Sequence, residues 1–189
     1  MPEPLTDARV LRAIAHPLRS RILDELYAAG SLRAADLARL LDVPANRVSF
    51  HLRQLAKYGL IEEDPGAARD RRDRAWKAVV DRGFDINLSA LSEQPGGKAA
   101  AEVWRRHARD FARLVVDHAF AESGEEGTFR AISDHTMRLT KDEAAELTRE
   151  LDDVLQKWIT SQRDADDERR TYLLYSLLQP YPELPAEDA

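Results

Sequence analysis

Apolar residues recur at helical spacing along most of the chain and switch to alternation in a few short stretches. Residues 5–15 predict a short helix capped by Thr6 or Asp7, with Val10, Leu11 and Ile14 on one side. His16-Pro17 interrupts it, because the residue before a proline avoids the helical region. Pro17 then opens a second helix whose buried stripe is Leu18, Ile22, Leu23 and Leu26, and Gly30 ends it. A third, short helix over about 33–41 packs through Leu37, Ala38 and Leu41. Asp42-Val43-Pro44 makes a tight turn, and a fourth helix over about 45–58 packs through Val48, Leu52 and Leu55 until Gly59 stops it. Strands over 60–63 and 74–80 flank a loop containing Gly and Arg, which is a hairpin pattern.

The second half begins after a predicted linker, 81–97, that ends in Gln94-Pro95-Gly96-Gly97. A long helix follows over about 98–121, and Gly124 to Gly127 break the chain. Residues 128–139 alternate as a strand, with Phe129, Ala131, Met137 and Leu139 on one face and Arg130, Asp134, Thr136 and Arg138 on the other. Thr140 and Glu143 form a capping box for a helix striped by Leu147, Leu151, Val154, Leu155, Trp158 and Ile159. A second strand is expected over 172–178, and a disordered tail over 181–189. The fold class is therefore mainly α with small β (α+β). A winged helix-turn-helix over 1–80 precedes a helix-strand-helix-strand region over 98–180, assigned to dimerisation and sensing.

With Val48, Leu52 and Leu55 turned inward, helical spacing points Asn46, Arg47, Ser49, Phe50, Arg53 and Gln54 outward. Asn, Gln and Arg make the paired hydrogen bonds that read adenine and guanine edges, and Phe50 can meet a thymine methyl. The hairpin loop carries Arg69, Arg71, Arg72 and Arg74, with Asp70 and Asp73 diluting the charge. On such a wing the arginines are read as phosphate or minor-groove contacts.

At these residues the chain resembles the arsenical-resistance-repressor (ArsR-like) winged-helix family. The resemblance rests on VLRAIAHPLRSRILDEL at 10–26 and LRAADLARLLDVPANRVSFHLRQLAKYGLIEE at 32–63. Within them stand His16-Pro17-Leu18-Arg19, Asp36-Leu37-Ala38, and the run Val48-Ser49-x-His51-Leu52-x-x-Leu55-x-x-x-Gly59-Leu60-Ile61. It covers residues 5–80. It implies DNA contacts at Asn46, Ser49 and Phe50, and dimer contacts on the first and the long helix. The chain departs from the family at Phe50, where a polar residue is common, at Pro44, where Ser is common, and at Asp42, where Gly is common.

Composition narrows the picture. Cysteine is absent, which removes disulfides, thiolate nucleophiles and cysteine-based metal sites. The net charge of −6 is unevenly spread. Residues 1–80 hold 14 Lys/Arg against 11 Asp/Glu, and residues 81–189 hold 14 against 23. A nucleic-acid surface therefore belongs in the front half. The chain lacks a long apolar run and an export signal at its start, so a cytoplasmic location without membrane association is expected. No nucleotide-binding glycine motif, nucleophile elbow or His-Glu-x-x-His is present, so an enzyme is not expected.

His107 and His118 occupy two positions of a metal-sensing pattern known in relatives, but Arg105 and Ala121 stand at the other two. Eleven residues of helix separate the histidines by about 16 Å, so one chain cannot close a site with both; no metal or other cofactor is expected. Trp104, Phe111, Phe120 and Trp158 are candidates for lining a pocket for a small-molecule effector, or for filling a core. The expected partners are double-stranded DNA and a second copy of the chain, meeting at Val10, Leu11, Ile14, Val103, Phe111 and Leu114. The expected function is a repressor acting as a homodimer on an inverted repeat. The alternative is a winged-helix interaction module that does not bind DNA.

Overall fold

The computed structural model describes residues 7–67, 74–80, 86–122, 126–163 and 169–182. In chain order these form α1 (Ala8–Ile14), α2 (Pro17–Ala29), β1 (Ser31–Arg33), α3 (Ala34–Leu40), α4 (Ala45–Lys57), β2 (Ile61–Glu63), β3 (Ala75–Ala78), α5 (Leu88–Ser92), α6 (Gly97–Ala119) and α7 (Lys141–Ser161). Among the described residues no helix is long and apolar enough to cross a membrane.

Helix boundaries follow from local chemistry. The Asp7 carboxylate accepts the Arg9 N–H at 2.7 Å and caps α1. His16 caps α2 through Nδ1, which accepts the Leu18 N–H at 3.2 Å, and Pro17 follows at the first helical position. The helices flanking the turn end in the same way. After α3, the Val43 N–H reaches Ala38 O at 3.0 Å and the Asp42 N–H reaches Arg39 O at 3.4 Å. After α4, the Leu60 N–H reaches Leu55 O at 3.1 Å and the Gly59 N–H reaches Ala56 O at 3.0 Å. Both are Schellman motifs, which need one left-handed residue. Gly59 takes φ 68° without a steric conflict, whereas Asp42 is held at φ 49°.

The sheet runs β1-β3-β2, antiparallel throughout, with Leu32 opposite Trp76 and Glu63 opposite Trp76 on the other side. Strand β1 was not expected: three residues are too few to show alternation, and they lie directly against α3. The Ser31 hydroxyl donates to the Asp64 carboxylate at 2.5 Å and ties the root of the wing to this strand.

One core collects Leu11, Ile22, Leu26, Leu37, Val48, Leu52 and Leu55 from the first four helices and Leu91, Ala100 and Ala101 from later ones. This corrects the expected linker and the expected boundary behind it. Part of 81–97 is helix α5, whose Leu91 is fully buried, and the first turns of α6 pack on α1 and α5. It also corrects two of the six dimer residues. Leu11 is 0% exposed and Ile14 7%, because α6 covers α1 within the same chain. Gly97 explains how α5 and α6 approach so closely, since a Cβ there would lie 1.7 Å from the Leu91 carbonyl oxygen.

The two strands expected at 128–139 and 172–178 are not formed. Both stretches are exposed and carry no backbone ladder. Alternation supplies one apolar face, but a strand also needs a neighbour to satisfy its backbone groups.

Two stability outcomes follow. Asp42→Gly should stabilise the fold by roughly 0.5–1 kcal/mol, because relief at the left-handed position exceeds the entropy glycine adds to the unfolded chain. Gly97→Ala should destabilise it by about 2–3 kcal/mol, since the conflict is with backbone. Denaturant midpoints at constant m-value measure both, and an unchanged midpoint for Gly97→Ala would contradict the tight α5–α6 approach.

Candidate nucleic-acid interface

Helix α4 is amphipathic in one register only. Val48, Leu52 and Leu55 are fully buried with His51 beside them, while Asn46, Arg47, Phe50, Arg53 and Lys57 are exposed. At 100° per residue, Asn46, Phe50, Arg53 and Lys57 form the outer ridge opposite the core. Ser49 and Gln54 are half-buried on its two flanks. Lys57 had no place in the sequence-based set, although the same spacing from Asn46, Phe50 and Arg53 would have found it.

Pro44 offers α4 no side-chain cap, and the Asn46 carbonyl oxygen instead accepts the Arg47 N–H at 2.9 Å. Asn46 therefore has its amide N–H groups ready, and a paired contact with adenine requires the oxygen to leave Arg47. Phe50 meets the His51 ring edge-to-face at 5.2 Å yet remains 49% exposed, and it presents a surface suited to a methyl group.

On one flank, Gln54 and Tyr58 meet Arg9, Arg12 and Arg19 around a cleft of about 160 Å³. Arg19 is fixed there by donating to Ala13 O at 2.5 Å and Arg12 O at 3.1 Å, and Arg12 donates to Gly96 O at 3.2 Å. Arg9 is paired with Asp7 at 2.9 Å. The cleft is thus basic beside α4.

The wing is described only at its base. There Arg74 pairs with Glu63 at 2.6 Å and Lys77 with Glu62 at 3.3 Å, both bridging β2 and β3. Arg74 consequently holds the hairpin together. Arg69, Arg71 and Arg72 lie outside the described residues.

Beneath α4 the His16 and His51 rings meet at a tilt of 45°, with centroids 4.7 Å apart. This contact was not foreseen, because it joins the cap of α2 to the inner face of α4. Burial pushes both histidines below the usual 6.5, aided for His16 by Arg19, Arg47 and His107 and for His51 by His16, Arg19 and Arg47. His51 Nδ1 is buried without a hydrogen-bond partner, and His16 Nδ1 accepts a hydrogen bond from the Leu18 N–H, so both nitrogens suit the neutral ring.

The residues considered for sensing do not converge. Trp104 packs on the core and Phe111 meets Tyr175 edge-to-face at 6.1 Å, while Phe120 and Trp158 are 70% and 64% exposed. A cleft of about 390 Å³ is lined by Gly127, Gln162, Arg169, Arg170 and Tyr172 instead. His107 is half-buried and His118 exposed, and no group of three or more ligating side chains able to hold a metal occurs among the described residues.

Fold and surface together define a winged helix-turn-helix domain. Residues 14–64 match a family model described as a helix-turn-helix domain. Over 46 residues the chain is 39% identical to the transcriptional repressor PagR of Bacillus anthracis, covering 24% of this chain and 46% of that protein. The chain thus spans about half the length of that curated relative. Among solved structures, MarR of E. coli in its apo form is 20% identical with a TM-score of 0.33, covering 78% of this chain and 86% of that one. ZitR of Lactococcus lactis is 17% identical with a TM-score of 0.34, covering 76% and 83%. Scores this low do not establish a common arrangement over those lengths.

The histidine pair sets a pH dependence. The unfolded chain takes up protons first as pH falls below about 6.5, so it binds more protons than the fold and stability declines. Stability should be complete above that value and be lost as pH falls through the depressed folded values. Urea midpoints between about pH 7.5 and about pH 5 read this directly, and His51→Gln should flatten the slope. A variant slope as steep as the parent's would assign the effect elsewhere.

Proposed function

We propose that this chain is a transcription regulator of the ArsR-like type that binds double-stranded DNA as a homodimer and represses its target. The observation that carries this reading is α4. Its inner face is locked into the core by Val48, Leu52 and Leu55, so Asn46, Phe50 and Arg53 stand on a rigid outer ridge that fits a major groove. Arg47, Ser49 and Gln54 widen the reading surface on either flank, and Arg69, Arg71 and Arg72 are assigned to the DNA backbone from the wing. Similarity to a transcriptional repressor over 46 residues supports the repressor assignment. The sequence features at His16 to Arg19 and Val48 to Ile61 support the subfamily.

One recognition helix contacts too few base pairs to select a genomic site, so two copies are required on an inverted repeat. Half-site centres then lie about one helical turn, ~34–36 Å, or a multiple apart. Val103 and Leu114 are exposed for that assembly, while Val10 is half-buried against the core of its own chain. Phe111 shares its ring with Tyr175 of its own chain.

Binding to the chain's own promoter region tests the proposal. Asn46→Ala and Arg53→Ala should each weaken specific binding by about 1–3 kcal/mol with folding intact. The double replacement Arg71→Ala/Arg72→Ala should weaken binding to all sequences alike and flatten the salt slope, because fewer counterions are released. Unchanged isotherms for both α4 variants would remove this helix from the interface, and failure to bind any duplex at low salt would favour an interaction module.

A further inference from the structure

From α6 onward the surface is unusually apolar. Leu114, Val116 and Phe120 on or just beyond α6, and Leu151, Val154 and Trp158 on α7, are all more than half exposed. Helix α7 buries no residue at all. An apolar surface of this extent on a folded protein marks an interaction site.

Charge indicates what covers it. Helix α6 carries five Lys/Arg against three Asp/Glu, and α7 carries three against six. The excess charges form stripes of equal spacing. Arg106, Arg109 and Arg113 follow one another at i, i+3 and i+7 beside Val103 and Leu114. Glu143, Glu146 and Glu150 repeat that spacing beside Leu147, Leu151 and Val154. Arg109, Arg113, Glu146 and Glu150 have no ion-pair partner among the described residues, and like charges four residues apart oppose their own helices. Each stripe lacks what the other supplies.

Within one chain the two helices are not packed together. The connections on either side of α7 are fastened elsewhere. Arg130 donates to Ala119 O and Ala121 O at 3.3 and 2.9 Å, Arg163 to Tyr27 O at 3.4 Å, and the Thr171 hydroxyl to the buried Glu25 carboxylate at 2.7 Å. These tethers present α7 outward. We propose that α7 of one copy packs against α6 of a second copy, so that a two-fold dimer is built from two reciprocal α6–α7 pairs. The inference deepens the dimer reading above and rests on it. A second copy is the occupant because the complement to α7 is displayed on this chain's own α6, and an isologous interface satisfies both stripes at once.

Sedimentation equilibrium on the full chain, paired with charge reversal, tests it. The parent should be a dimer. Arg109→Glu/Arg113→Glu and Glu146→Lys/Glu150→Lys should each raise the dissociation constant roughly a hundredfold, through like charges facing across the interface. An equimolar mixture of the two variants should recover a heterodimer. Because the chain has no cysteine, mixed Leu114→Cys and Leu151→Cys chains offer a second measurement that leaves the charges intact. Under oxidation the mixture should give a cross-linked dimer that neither variant gives alone. A monomeric parent, a dimer indifferent to both reversals, or no cross-link in the mixture would overturn the inference. A parent that dimerises this way yet binds no DNA would leave it standing and sink the functional proposal, whereas a dimer that binds its operator but is indifferent to both reversals would do the reverse.

Discussion

Three side chains of α4, Val48, Leu52 and Leu55, leave water almost completely, each contributing about 1.5–3 kcal/mol to stability. That burial fixes the rotation of the helix about its own axis. A turn of 100° would expose a leucine and bury Arg47 or Arg53, exchanging an apolar gain for an unpaired buried charge. The direction in which Asn46, Phe50 and Arg53 point is therefore set by residues that never touch a ligand. The two Schellman ends, at Asp42 and Gly59, place α4 between α3 and the wing with little slack. Stability and recognition are two faces of one helix.

The front half was legible because its signals are local. Helical spacing, proline and glycine punctuation and the tight turn each act within a few residues, and they gave α2, α3, α4 and the hairpin nearly to the residue. What escaped depended on distant partners. Strand β1 exists because Leu32 finds Trp76, and Leu91 is buried because Gly97 admits the next helix. The His16–His51 ring contact joins two helices across 35 positions and leaves no mark on either helix's own pattern. The error at 128–139 and 172–178 has the opposite origin. Both stretches alternate, but a strand is a property of a pair, and neither stretch has a ladder partner among the described residues. The wing arginines Arg69, Arg71 and Arg72 follow from the position of the loop between the two strands, and they lie outside the described residues.

Helix α6 has a different environment at each end. Its first turns, through Ala100 and Ala101, belong to the core of the winged helix, where small residues let α1 approach. Its last turns, with Leu114 and Val116, face outward. A rigid rod anchored at one end transmits its orientation to the other. The inner end of α6 is also where Arg12 is held, through Gly96 O, at the basic cleft beside Gln54 and Tyr58. Among the described residues of the interval expected to be a linker, α5 places a fully buried leucine against the core.

Charge distribution follows the same division. A net charge of −6 would repel DNA if it were spread evenly, but exposed charges act over about 10 Å at moderate salt. The excess of acid lies behind residue 80, concentrated in part on α7, and the excess of base lies in front. In the reciprocal pairing proposed for α6 and α7, each acidic stripe is held against a basic one. That pairing takes up base and acid in equal number, so the back half keeps its negative charge, and the surface near α4 is basic because that charge lies in another part of the chain. What remains facing outward near α4 is Arg47, Arg53 and Lys57, with Arg9, Arg12 and Arg19 at their flank. An acidic protein can present a basic surface in this way, because screening keeps the acid of the back half from acting across the distance to α4.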